Sequence, residues 1–262
     1  MNVLVFDIET VPDVENGRRL YGNRSEMESL SDEDVARVMF QQRHQNTDGQ
    51  TEMLRHHLHK VVAISAVLRS GERLKVDSFG SPESSEVDII RQFFKTVQHY
   101  TPVLVSWNGG GFDLPVLHYR ALLHGISAQR YWDIQGPFRF DNYLNRYHER
   151  HTDLMDILAG YQGRAFAPLD EIATLLGFPG KLGMSGDKVW EVYLQEGGIQ
   201  KIRDYCETDV LNTYLIFLRF ELMRGHLTET EYGQECQRLR DQLAAEPGRL
   251  HFASFLEAWV VN

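Results

Sequence analysis

Cysteine is nearly missing. Only Cys206 and Cys236 occur in 262 residues, too few for a disulfide framework or a cysteine-built zinc site. Long apolar runs are missing too: none approaches the roughly 20 residues that a membrane-spanning helix needs. The opening residues lack the basic patch and cleavage site of a secretory leader, so a cytoplasmic setting is expected. Positive charge is in short supply, with 27 Lys and Arg against 37 Asp and Glu and a formal net charge of −10. That balance argues against a non-specific nucleic-acid binder, which needs a basic face for phosphates. It does not exclude an enzyme whose acids hold metal ions, because bound cations restore positive charge where a phosphate must sit. There is no internal repeat and no phosphate-cradling GxxxxGK[ST] loop.

What is present suits a folded chain with a proper core, 42% hydrophobic and 11% aromatic. The order of elements is mixed α/β. "NVLVFDI" reads as a buried strand, followed by a polar, irregular stretch over 13–59. Within it a helix is expected from Asp32 to His44 behind a Ser31 N-cap. "KVVAISAVLRSGERLKVDSFG" reads as two strands around a Ser70–Gly71 turn. Ser85 caps a predicted helix in which Val87, Ile90, Phe93, Phe94 and Val97 recur at helical spacing. "PVLVSWN" is a further short strand, and Pro115 marks the start of another helix. A short strand is expected near "HTDLMDIL". From about 169 onward the pattern is helical, including a long helix from about Gly198 to Met223 and two helices near 228–245 and 251–260. The expected architecture is a mixed sheet covered by helices, with one catalytic domain over 1–225 and a helical extension over 226–262 packed on it.

Three stretches carry chemistry. In "FDIET", alternation along a strand puts Asp7 and Glu9 on one face and Phe6 and Ile8 on the other. Two unpaired carboxylates on a buried strand repel each other and lose hydration, which costs several kcal/mol unless something compensates. A divalent cation would compensate; so would solvent at a sheet edge. In "SWNGGGFDLPVL", Asp113 follows a strand end and three glycines, a position that suits either a ligand near a close backbone turn or a helix N-cap. In "RDYCETDVLNTY", Tyr205 and Asp209 are four apart on the predicted long helix and share one face, with no Lys or Arg at helical spacing to pair the acid.

Taken as an ordered set, D-x-E on a first strand, N-x-x-x-F-D after a later strand and Y-x-x-x-D on a late helix resemble the DEDD superfamily of 3′–5′ exonucleases. The tyrosine marks the DEDDy branch. The wording is most similar to the proofreading domain of family-B DNA polymerases, and within that group to stand-alone bacterial exonucleases predicted to be polymerase-B-like. The likeness runs from residue 2 to about 225. It implies a ribonuclease H-like fold and two Mg²⁺ or Mn²⁺ ions, a metal choice that hard carboxylate ligands also favour. By position, Asp7 would bridge both ions, Glu9 and Asp209 would complete the first, and Asp113 would hold the second. Tyr205, with Glu9, would orient the attacking water. Thr10 falls where relatives grip the terminal nucleotide, Lys181 is a candidate phosphate contact, and Asn108 and Phe112 are candidate substrate contacts. The expected substrate is single-stranded nucleic acid, DNA favoured over RNA, cut from its 3′ end to nucleoside 5′-monophosphates. A 3′-trimming exoribonuclease and a catalytically silent binding module of the same fold are the alternatives.

Other residues read less sharply. His56, His57 and His59 suggest a metal site but lack a second ligand pair. Asp153 and Asp156 suit either a salt bridge or support of a ligand. Arg130, Arg139, Arg146, Arg150 and Arg164, interleaved with aromatics, suit a single-strand groove or a lid over the core.

Overall fold

The structure, a computed structural model, describes residues 2–21 and 27–259. Its sheet has five strands: β1 (Val3–Pro12), β2 (His59–Ser70), β3 (Arg73–Ser78), β4 (Val103–Ser106) and β5 (His151–Asp153). They lie in the order β3-β2-β1-β4-β5. β2 runs antiparallel to both β1 and β3, while β4 is parallel to both β1 and β5. The strand with the first two acids is therefore the middle of the sheet. The Ser70–Gly71 turn forms as expected, with Gly71 at φ 57°, a left-handed conformation that costs glycine little.

Alternation along β1 divides the core into two layers. Leu4, Phe6 and Ile8 pack with Ile89, Ile90, Phe93 and Phe94 of helix Glu86–Tyr100, and with Leu114 and Leu117 of helix Asp113–His124. Ser85 caps the first of these, its hydroxyl accepting from the Asp88 amide at 3.2 Å. Val3 and Val5 point to the other face, into a cluster with Val210, Leu211, Tyr214 and Leu215 of the 26-residue helix Gly198–Met223. Leu239, Leu243, Phe252, Phe255 and Trp259, from helices Glu229–Ala244 and Leu250–Ala258, are buried in that same cluster. Fully burying side chains of this size contributes about 1.5–3 kcal/mol each, so both layers clamp β1.

Helix Asp113–His124 is fixed to β1 by a buried charge network. Its Arg120, 4% exposed, pairs with Asp13 just past β1, and its Nε and Nη2 donate to the two Glu86 carboxylate oxygens at 2.7 and 2.5 Å. The expectation of a helix beginning at Pro115 is corrected by two residues. Asp113 is itself the first helical residue and Phe112 the cap position. No helix among the described residues is long and apolar enough to cross a membrane.

Candidate active site

The site grows out of the β1 alternation. Asp7 and Glu9 continue the face of Val3 and Val5, and farther along Val11 packs against Ile202 and Cys206 of the long helix. That helix therefore lies over the two acids, and the turn between Ile202 and Val210 faces them with Tyr205, Cys206 and Asp209. Ligating atoms of Asp7, Glu9 and Cys206 lie within 4.8 Å of one another. The buried Cys206 thiol donates to the Asp7 main-chain carbonyl and to its Oδ2, both at 3.5 Å. Register with β2 shifts between Glu9 and Thr10, leaving Val62 without a partner opposite β1. Such a bulge re-aims side chains next to it.

Asp113 arrives from the opposite layer. Its Oδ1 accepts from the Ile8 amide at 3.1 Å, which sets the carboxylate against β1 between the two strand acids. The loop that delivers it is tightly wound. Asn108 stands at φ 63°, and a Cβ on Gly109 would come within 2.3 Å of the Ser106 hydroxyl, so only glycine fits there. The Asp153 carboxylate accepts from the Asn108 amide at 2.9 Å and the Gly110 amide at 2.8 Å. The salt bridge expected as one reading of Asp153 does not form among the described residues; its carboxylate instead holds the main chain of this loop and caps helix Leu154–Leu158.

Four acids from three segments thus share one electrostatic environment. Burial first, then the neighbouring acids, holds the Asp7 and Glu9 carboxyls well above the usual carboxylate range. Burial pushes Asp113 up to about 7 and Asp209 to about 6, the latter partly offset by the Tyr205 hydroxyl and the Lys181 charge. Tyr205 is itself pushed upward by burial and by Asp209 and Glu9, so its hydroxyl stays protonated at neutral pH. No arginine or lysine pairs with Asp7 or Glu9 among the described residues; the groups acting on them are other acids, the Cys206 thiol and a main-chain amide. A cluster of hard oxygen donors whose two strand acids have no protein cation beside them fits divalent metal ions.

Beside the acids lies a cavity of about 460 Å³ lined by Asp7, Asp209, Trp107, Asn108, Met155 and Phe166. Asn108 is therefore brought to the site. Thr10 is half-buried, and its hydroxyl lies 2.9 Å from His59 Nδ1. His59 Nε2 contacts the Leu54 carbonyl at 3.2 Å, which can only accept, so Nε2 carries the proton and Nδ1 accepts from Thr10. Burial keeps that imidazole neutral, its pKa lowered to about 4. Phe112 is half-buried and edge-on to His59, with ring centroids 5.0 Å apart. His56 Nε2 lies 2.9 Å from the Gly111 carbonyl, tying the turn His56–Leu58 to the glycine loop. His56 and His59 are thus braces with protein partners, while His57 is exposed beside the Tyr119 ring. Lys181 is exposed, its amide held by Asp170 at 2.6 Å. Sequence reasoning missed Cys206 as a neighbour of the site and took His59 for a metal candidate rather than a brace on Thr10. The first was signalled by its place between Tyr205 and Asp209, whereas nothing local marks Thr10 as the partner of the second.

Residues 51–259 match a family described as predicted 3′–5′ exonucleases related to the exonuclease domain of PolB. The chain belongs to that family. The match begins after β1, so it is the sheet that brings Asp7 and Glu9 to the span this exonuclease family defines. Over 96% of its length the chain is also similar to 29% of a family B DNA polymerase from the hyperthermophilic archaeon Pyrobaculum calidifontis, with a TM-score of 0.52 and 18% identity. That likeness shows the fold, the ribonuclease H-like mixed sheet with flanking helices.

Proposed function

We propose that this exonuclease hydrolyses the terminal phosphodiester at the 3′ end of single-stranded DNA, releasing nucleoside 5′-monophosphates. The observation that carries the reading is the convergence of Asp7, Glu9, Asp113 and Asp209 with no protein cation to offset Asp7 and Glu9. Those acids would hold two Mg²⁺ or Mn²⁺ ions, which when bound supply Lewis-acid stabilisation of the phosphoryl oxygens and a more acidic water. Tyr205 and Glu9 orient the attacking water toward phosphorus. The water oxygen forms the new P–O bond, the bond from phosphorus to the preceding nucleotide's 3′ oxygen breaks, and that oxygen leaves as a hydroxyl.

Thr10 grips the terminal nucleotide. With its hydrogen committed to His59, its oxygen is left to accept from the terminal 3′-hydroxyl. The tie between His56 and Gly111 braces the glycine loop that leads to Asp113. Asn108 and Phe112 shape the cleft, and Lys181 approaches the phosphate.

The test is incubation of labelled single-stranded DNA and RNA with Mg²⁺ or Mn²⁺, beside Asp7→Ala and Asp209→Ala. The expected result is a ladder from the 3′ end that disappears in both variants and with chelator, faster on DNA. Equal degradation by the variants overturns the reading. Faster degradation of RNA makes the protein an exoribonuclease, and binding without cleavage makes it a silent module.

A further inference from the structure

The arginine- and aromatic-rich segment 130–166 divides once folded. Arg130 is 7% exposed, with its guanidinium 3.2 Å from the centroid of the Phe138 ring, and Arg150 pairs with Asp141 at 2.6 Å, so both serve the scaffold. Tyr131 and Tyr143 are buried beside them, whereas Arg139, Phe140, Arg146, Tyr147, Tyr161, Arg164 and Phe166 face solvent. Arg146 lies over both Tyr147 and Tyr161, 5.1 Å from each ring centroid, and the two rings are 6.4 Å apart. Tyr147 is 73% exposed, Tyr161 40% and Phe166 42%. Tyr161 stands at φ 59°, a backbone conformation uncommon for a bulky residue.

This surface is continuous with the catalytic cavity. Phe166 lines that cavity with Asp7 and Asp209, as does Met155. The next residue, Asp156, accepts from the Tyr161 amide through its carbonyl at 2.8 Å. Among the described residues Arg146 forms no ion pair; its Nη2 donates to the Tyr147 hydroxyl at 3.0 Å, and Asp156 is the acid whose charge acts on it. We infer that the run Phe166, Tyr161, Arg146, Tyr147 is the track on which the strand 5′ of the scissile bond lies, its bases stacking on the rings and a phosphate facing Arg146. This deepens the exonuclease reading and rests on it. A strand cut from its 3′ end needs only one open direction out of the cleft, and the Thr10 side is braced by His59 and His56. Flat rings interleaved with an unpaired cation are the chemistry of single-strand binding, which tolerates any base because every base has a stacking face.

Two readouts test the track. Anisotropy of fluorescein-labelled dT12 and U12, with chelator present so that no turnover occurs, should show the Tyr147→Ala/Tyr161→Asn double variant binding both roughly tenfold or more weakly than wild type. Arg146→Gln should lower the slope of log affinity against log salt by about 0.7. In turnover, wild-type kcat/KM should rise from dT2 to dT12, and the double variant should lose that rise while cutting dT2 at the wild-type rate. Unchanged dT12 affinity in the double variant overturns the track whatever its turnover. Wild type that cuts neither dT2 nor dT12 overturns the exonuclease reading, and anisotropy still decides the track.

Discussion

Helix Gly198–Met223 carries two groups of ligating side chains on nearly opposite sides, and they are resolved in opposite ways. Toward β1 it adds Asp209 and Tyr205 to Asp7, Glu9 and Asp113, acids crowded against acids. On the other side Asp204, Glu207 and His251 also lie within 4.8 Å of one another. There, however, Glu207 is 1% exposed and fully partnered: Arg249 pairs with it, His251 Nε2 lies 2.7 Å away and the Ser78 hydroxyl donates at 2.5 Å. The same residue types thus make a closed structural knot on one side and an open demand for cations on the other. Ligand-like spacing does not separate the two; the presence of a protein cation does.

That contrast is sharpest if the two sides respond to charge removal with opposite signs. Asp7→Asn should cut the rate of strand hydrolysis by at least about 10³-fold, the equivalent of several kcal/mol of charge stabilisation. The same variant, free of metal, should melt higher than wild type, by about 2–4 °C per kcal/mol of repulsion relieved. Glu207→Ala should instead lose about 1–3 kcal/mol of stability in denaturant titration, because the buried Ser78 hydroxyl and the half-buried Arg249 and His251 lose the carboxylate they share. A Glu207 variant as stable as wild type would mean that its partners do not hold it. Tyr205→Phe should lower the rate by roughly 10²-fold, the lower end of what a positioned proton donor contributes. Its divalent-ion affinity by calorimetry should stay near the wild-type value.

The smallest effect is in pH. Asp113 at about 7 and Asp209 at about 6 lie above their ordinary 3.8 in the folded protein. The folded state therefore holds their protons more tightly. Their contribution to stability is fully present below about pH 4 and is lost as pH rises through 6 to 7. Metal-free protein should lose melting temperature across that range, Asp113→Asn should flatten the loss, and saturating Mn²⁺ should remove it. A metal-free profile unaffected by Asp113→Asn would break the account of the open cluster.

Much of this was legible in the residues because it rests on short periods. The two-residue alternation of β1 places Asp7 and Glu9 together, and the helical period places Tyr205 with Asp209. The Ser31 and Ser85 caps fix two helix starts, and both form. What was not legible depends on contacts between distant segments. His59 reaches Thr10 across the β1–β2 pair, and Glu207 is held by Arg249 and His251, more than forty residues on. No local pattern in "RDYCETD" distinguishes the acid that faces β1 from the one that faces Arg249. The five arginines of 130–164 likewise read alike in sequence, and only burial separates Arg130 from Arg146.

The central position of β1 sets how this catalyst is lost. Because the strand with Asp7 and Glu9 is flanked on both edges and clamped on both faces, nothing can peel it away while leaving the rest of the molecule intact. Heat or denaturant should extinguish turnover and far-ultraviolet ellipticity along one coincident curve, and a nick that frees residues 1–12 should silence the protein outright rather than dull it.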